Sequence, residues 1–123
     1  MKLDRRQLLH LGSGLVAAAL APRTVLADTF PSRPVKIVVP FAPGGIGDIL
    51  MRLAGAQLQE RLGQPFIIET RPGAGGNLGT EMVAKSPGDG YTLLSTGTPN
   101  TINASYYDKL NFDFIHDIVP VAG

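Results

Sequence analysis

The sequence predicts an α/β fold in which a parallel sheet is flanked by helices. Three short apolar segments, rich in β-branched residues, alternate with segments of helical periodicity. Each apolar segment is followed by a glycine-rich or polar loop. Strands that alternate with helices are joined by right-handed crossovers and therefore run parallel. Because ligands of such sheets bind beyond the carboxyl ends of the strands, we expect any binding residues in these three loops.

The first strand, predicted at residues 35–41, leads into a turn that contains Gly44, Gly45 and Gly47. Four of the first five residues of this strand are β-branched, which is typical of a packed strand. A helix is expected from about Asp48. The positive end of its dipole and its unpaired N–H groups would face the turn, which is therefore suited to an anion.

The helix after this turn is predicted to end at Leu62, because Gly63 can adopt a left-handed cap and Pro65 cannot continue a helix. One face of the helix repeats at helical spacing and is mostly apolar, so we expect it to pack on the sheet. The residues of that face are Leu50, Leu53, Ala54, Gln57, Leu58, Arg61 and Leu62.

The remaining predicted elements continue the alternation. They are a strand at 65–70, a glycine-rich loop at 71–77, a helix at 78–85, a strand at 91–96, a polar loop at 97–100 and a weak helix at 102–107. Three strands leave an unpaired sheet edge, and the sequence stops within an apolar run. We therefore expect residues 28–123 to be the front part of a longer protein.

Residues 1–27 have the three-part pattern of a secretory signal peptide: a basic start, an apolar run and a small residue, Ala27, at the cleavage position. The pair Arg5-Arg6 leaves both the twin-arginine route and the general secretory route open. The apolar run, residues 8–21, is shorter than the roughly 20 residues that span a bilayer. The pattern predicts export, with a mature chain that has no transmembrane segment.

Charge and composition exclude several classes of function. The net charge is +1, but residues 1–27 carry +3, which leaves −2 for the rest of the chain. No basic surface therefore remains to bind nucleic acid. The chain has no cysteine, which excludes disulfides, thiolate metal sites and cysteine nucleophiles.

A strand, a glycine turn and a helix also suggest a Rossmann-like enzyme domain, which we keep as an alternative. Gly45 and Gly47 give the first two glycines of the dinucleotide fingerprint, and Glu69 lies where a ribose-binding acid would be. However, Leu50 takes the place of the third glycine, and Asp48 would bring a carboxylate close to a pyrophosphate. These two residues make the alternative the weaker interpretation.

The residues predict no catalytic site, no metal site and no cofactor, and hence a protein that is not an enzyme. No serine lies in a Gly-x-Ser-x-Gly setting. His116 is the only histidine after the signal peptide, and with Asp113 and Asp117 it gives only a weak metal-binding pattern. Asp48 has two open interpretations, a carboxylate that faces a ligand or one that stabilises the start of a helix.

Four motifs stand in order along the chain, at residues 34–48, 62–65, 71–77 and 87–93. Together they resemble the solute receptors of tripartite tricarboxylate transporters, the Bug family. Residues 110–121 are similar to the next segment of that family. The resemblance implies a periplasmic solute-binding protein with a type II periplasmic binding protein-like fold, of which this chain would hold an incomplete first domain.

The resemblance also implies a function and a set of ligand-binding residues. Family ligands are small organic carboxylates, namely di- and tricarboxylates, amino acids and aromatic acids, which are passed to the membrane components of the transporter. An exported sensor that signals through a partner is an alternative. The ligand-binding residues implied for this chain are Phe41, Ala42, Pro43, Gly44, Gly45, Asp48, Thr96, Thr98 and Asn100.

Overall fold

The computed structural model describes residues 29–122, and the predicted signal peptide lies outside them. Its elements are β1 (Val35–Val39), α1 (Ile46–Leu62), β2 (Phe66–Thr70), a 3₁₀ turn (Ala74–Gly76), α2 (Asn77–Ala84), β3 (Thr92–Leu94) and α3 (Thr98–Tyr106). The strands form a parallel sheet in the order β2-β1-β3. The predicted α/β fold with a parallel sheet flanked by helices is confirmed.

Strand β1 forms the centre of the core because it pairs on both sides. It pairs along its whole length with β2, from Val35 opposite Phe66 to Val39 opposite Thr70, and its middle pairs with β3. Val35, Val38 and Val39 are buried. Their β-branched side chains suit a strand that is packed on both faces.

The strand order also fixes the positions of the first two helices. Helix α1 joins β1 to β2 on one side, and α2 returns from β2 to β3 on the other side of β1. Because right-handed crossovers in opposite directions lie on opposite faces, α1 and α2 flank the sheet.

The face by which α1 packs overlaps only in part with the predicted one, since Ala54 and Leu58 are half-buried. Leu53 is 63% exposed, and Leu50 and Leu62 are exposed as well. The helix instead approaches the sheet at Gly55, where an added Cβ would lie only 3.2 Å from Ile68 Cδ1. Because glycine has no side chain, it allows two elements to approach closely. It is not an apolar side chain, so it does not mark a packed face in the pattern of apolar spacing.

Local chain signals set the ends of the helices. Gly63 has φ +72° and donates its N–H to the Gln59 carbonyl at 2.9 Å, as predicted for a left-handed cap. Helix α3 begins at Thr98, within the segment predicted to be a loop. It starts early because the side-chain oxygen of Asn100 accepts the N–H of Gly97 at 3.0 Å and closes the first turn.

Among residues 29–122, no helix has the length and apolar character needed to cross a membrane.

The packing of α2 on the sheet ends gives a test of the fold. A Cβ added at Gly79 would lie 2.9 Å from the Arg71 carbonyl oxygen and 3.0 Å from Pro40 Cβ. We expect Gly79→Ala to lower the free energy of unfolding by about 1–2 kcal/mol, since overpacking outweighs the better helix propensity of alanine. Denaturant unfolding followed by circular dichroism measures this change.

The matched control is Gly47→Ala in α1, where the added Cβ would meet only Val39 Cγ1 at 3.9 Å. A contact at this distance carries no steric penalty, so the better helix propensity of alanine is the main effect. This variant should therefore be more stable than the wild type by up to about 1 kcal/mol. Equal effects of the two substitutions would contradict the packing described at Gly79.

Candidate functional site

The predicted binding loops meet at the carboxyl edge of the sheet. The loops after β1 and β3 leave neighbouring strands, since Ser95 donates its N–H to the Val38 carbonyl at 2.8 Å. In a sheet of order β2-β1-β3, the chain first passes from β1 to β2 on one side of β1. It then passes from β2 to β3, which lies on the other side of β1. The crevice at such a reversal is the usual ligand position in open α/β sheets.

The ring of Phe41 brings three loops together. A Cβ placed on Gly76, in the loop after β2, would lie 3.3 Å from Phe41 Cε1. One placed on Gly97, in the loop after β3, would lie 3.6 Å from Phe41 Cε2. The half-buried ring therefore packs against two backbones that carry no side chains, and it forms the floor of the junction.

Asp48 holds the loop after β1 in shape. Its side chain is 4% exposed, and its Oδ2 accepts the N–H of Gly44 at 2.8 Å. Its Oδ1 lies 2.9 Å from Nε of Arg52. The hydrogen bond from Gly44, then the contact with Arg52, hold the pKa of this carboxyl below its ordinary value. The structure thus shows the helix-stabilising role, and a ligand contact by Asp48 stays a prediction.

The hydrogen bond between the Gly44 N–H and Asp48 changes which N–H groups are available to an anion. The N–H of Gly44 is already bound to Asp48, and that of Gly45 faces the Ala42 carbonyl at 3.4 Å. The N–H groups of Ile46 and Gly47 lie in the first turn of α1, where helices lack internal acceptors. No acceptor for them is found in the described part of the chain. These two residues were not among the predicted binding residues, because the helix was expected to begin two residues later.

The other predicted binding residues differ in their exposure to solvent. Those that face solvent at this edge are Ala42, Pro43, Gly44, Gly45, Thr96 and Thr98. Asn100 is 2% exposed, and both ends of its amide are bound within the protein. Its Oδ1 accepts from Gly97 at 3.0 Å, and its Nδ2 donates to Thr80 Oγ1 at 2.9 Å.

Three further polar residues, which the sequence analysis did not single out as binding residues, tie the loop after β2 to α3. Asn103 Nδ2 donates to the Gly75 carbonyl at 2.8 Å and to Asn77 Oδ1 at 2.9 Å. Thr80 Oγ1 donates to the Gly76 carbonyl at 2.9 Å. The three-residue spacing of Asn100 and Asn103 on one helix face was the signal available in the sequence.

The basic side chains near these loops, Arg52 and Arg71, are already paired. Glu69, at the end of β2, lies 2.7 Å from Lys36 Nζ and also pairs with Arg71. Lys36 first, and then Arg71, lower the pKa of Glu69. Arg52 is paired with Asp48. The positive potential of the loop after β1 therefore comes from its backbone N–H groups and the α1 dipole.

Two other features lie away from these loops. A shallow hollow of about 240 Å³ at the amino ends of the strands is lined in part by Arg33 and Lys36, and both are ion-paired. Asp113 accepts backbone N–H groups and contacts His116 Nδ1 at 2.8 Å in a turn near the end of the chain. Residues 29–122 contain no group of three side chains that could hold a metal ion.

Sequence relatives of this chain are bacterial proteins of one kind. BugT of Bordetella pertussis is 41% identical over 122 residues, which cover 98% of this chain and 37% of BugT. A second B. pertussis protein, of the UPF0065 group, is 43% identical over 109 residues, which cover 86% of this chain and 34% of that protein. The chain therefore spans little more than a third of the length of these relatives.

Solved structures that superpose on this chain include two that hold a dicarboxylate. R. palustris Rpa4515 with adipate superposes with a TM-score of 0.61 and 43% identity, over 68% of this chain and 28% of that one. MatC from Rhodopseudomonas palustris with bound malate gives a TM-score of 0.51 and 49% identity, over 53% of this chain and 22% of that one.

The family model described as "Tripartite tricarboxylate transporter family receptor" matches residues 50–123. This match covers more than half of the chain and agrees with the relatives and with the fold. The resemblance drawn from the four sequence motifs is confirmed: this chain belongs to the receptor family of the tripartite tricarboxylate transporters.

Proposed function

We propose that this chain is part of a periplasmic receptor that binds a small dicarboxylate and delivers it to the membrane components of a tripartite transporter. The observation that carries the proposal is the pair of N–H groups of Ile46 and Gly47 at the start of α1, which have no acceptor within residues 29–122. Such groups bind a carboxylate directly or through ordered water. The malate and adipate bound by two structural neighbours fit this ligand class.

The shape of the loop after β1 suits an anion held by the backbone. Between Ala42 and Gly45 the loop carries only small side chains or none, so a ligand can approach the main chain closely. On the other side of the crevice, the exposed hydroxyls of Thr96 and Thr98 can donate hydrogen bonds to the same carboxylate.

The negative charge of Asp48 does not oppose this role. Its carboxylate is bound to the Gly44 N–H and to Arg52, so its charge is balanced within the protein. It acts by fixing the loop at the start of α1. In this arrangement Asp48 shapes the loop that leads to the N–H groups of Ile46 and Gly47.

Calorimetric titration of the full chain with malate, adipate and dimethyl adipate tests the proposal. At least one of the two dicarboxylates should bind, and dimethyl adipate should not, because it offers no charge to the N–H groups. A folded chain, as shown by circular dichroism, that binds neither malate nor adipate would contradict the proposal.

Variants locate the site in the same titration. An added Cβ at Gly45 would lie 3.3 Å from the Ala42 carbonyl, so Gly45→Val crowds the loop. Hydrogen bonds to a charged group are worth about 1.5–3 kcal/mol, so losing one weakens binding about tenfold or more. Gly88→Val is the control, since an added Cβ there meets nothing within 4 Å. Equal affinities of the two variants would place the ligand elsewhere.

The lowered pKa of Asp48 makes part of the stability pH-dependent. Because the pKa in the folded state lies below the ordinary value of 3.8, the stabilisation is present above that value. It is lost as the pH falls through the pKa of the folded state. The difference in unfolding free energy between the wild type and Asp48→Asn should therefore shrink between about pH 5 and pH 2.

Denaturant unfolding of both proteins over this pH range measures the difference. Glu60→Gln, at an exposed position of the same helix, controls for the loss of one negative charge from α1. If the wild type and Asp48→Asn differ by the same amount at every pH, the bond between Asp48 and Gly44 does not stabilise the folded chain through its charge.

A further inference from the structure

A buried chain of hydrogen bonds runs behind the candidate site. The Gly97 N–H donates to Asn100 Oδ1 at 3.0 Å, and Asn100 Nδ2 donates to Thr80 Oγ1 at 2.9 Å. Thr80 Oγ1 then donates to the Gly76 carbonyl at 2.9 Å. The chain joins the loop after β3 to the loop after β2 through helix α2.

Each group in this chain has a fixed role as donor or acceptor. The Asn100 oxygen must face the Gly97 N–H, so its nitrogen must face Thr80, and the Thr80 proton is left for the Gly76 carbonyl. Thr80 is 1% exposed, so water cannot replace a lost partner. A shift of either loop would leave buried polar groups unpaired, which is costly.

The loop after β1 rests on the two loops that this chain connects. The ring of Phe41 packs against Gly76 and Gly97, the two end points of the hydrogen-bond chain. The relative position of these glycines therefore sets the position of the Phe41 ring. Phe41 is continuous with the loop that leads to the N–H groups of Ile46 and Gly47.

We propose that Asn100 and Thr80 are positioning residues, which set the affinity of the site for a carboxylate without touching it. This inference rests on the proposed function. It gives Asn100 a different role from the ligand contact implied by the family resemblance, because its side chain is bound and buried behind the loop. It also gives a role to Thr80, which no sequence motif had marked.

Substitutions at Thr80 separate positioning from general stability. Thr80→Val keeps nearly the same volume but removes the hydroxyl, which leaves Asn100 Nδ2 without its acceptor and takes one donor away from the Gly76 carbonyl. Thr80→Ser keeps the hydroxyl. Ile37→Val, in the core on β1, is a destabilising control that leaves the hydrogen-bond chain intact.

The test titrates the full chain and these variants with adipate and malate and records the amide NMR shift of Gly97. Thr80→Val should bind the dicarboxylate about tenfold more weakly, because it disturbs the hydrogen-bond chain without removing a ligand contact. It should also shift the amide resonance of Gly97. Thr80→Ser and Ile37→Val should both bind like the wild type.

Asn100→Asp gives a second test that does not depend on the folding of Thr80→Val. The introduced carboxylate accepts from Thr80 and draws its hydroxyl away from Gly76, so affinity should fall. Because burial raises the pKa of a carboxyl group, protonation between about pH 8 and pH 6, where malate and adipate keep both charges, should restore a donor and recover the affinity. The wild type should bind equally well over this range.

The outcomes distinguish this inference from the proposed function. If the wild type binds a dicarboxylate and Thr80→Val binds it equally well, the positioning role is wrong and the receptor function stands. If Thr80→Val and Ile37→Val lose affinity equally, the effect is one of general stability, and the inference is again wrong. If the folded wild type binds neither dicarboxylate, both the proposed function and this inference are overturned.

Discussion

The central position of β1 in a parallel sheet is the constraint on which the candidate site depends. Parallel pairing on both sides of β1 places the loops after all three strands at one edge. The change of direction between the two crossovers falls beside the end of β1, which is where open α/β sheets usually bind their ligands. The apolar β-branched residues of β1 suit the centre of the sheet because they are buried in the core. The site is therefore a consequence of the topology as well as of the glycine-rich loop.

The proposed recognition at this edge relies on the backbone, since the neighbouring charged side chains are paired with one another. Asp48 is paired with Arg52, and Glu69 is paired with Lys36 and Arg71. Paired side chains hold the loops in place, and the N–H groups at the start of α1 remain for a ligand. Such a site favours a negative charge but contacts little of the rest of the ligand. The proposed site would suit dicarboxylates of different length, and two structural neighbours hold adipate in one case and malate in the other.

Local signals predicted much of the fold. The β-branched run of β1, the left-handed cap at Gly63 and the alternation of strands with helices were all visible in the sequence, and each was found. The four family motifs identified the family correctly. These features depend on neighbouring residues or on spacing along the chain, which is what a single sequence displays.

Features that depend on contacts between distant segments were not predictable in this way. The packed face of α1 is set by the close approach of Gly55 to Ile68, and apolar spacing indicated a different face. The pairing of the buried Asn100 amide depends on Thr80, which lies twenty residues away. The N–H groups of Ile46 and Gly47 were missed for a local reason, since α1 begins two residues before its predicted start at Asp48.

The measurement that tests this account most directly is the map of amide NMR shifts when adipate or malate is added to the isotope-labelled chain. The account predicts that the largest shifts occur at Ile46 and Gly47, with smaller ones at Thr96 and Thr98. Shifts concentrated around Arg33, Lys36 and Tyr91, which line the hollow at the opposite ends of the strands, would contradict it.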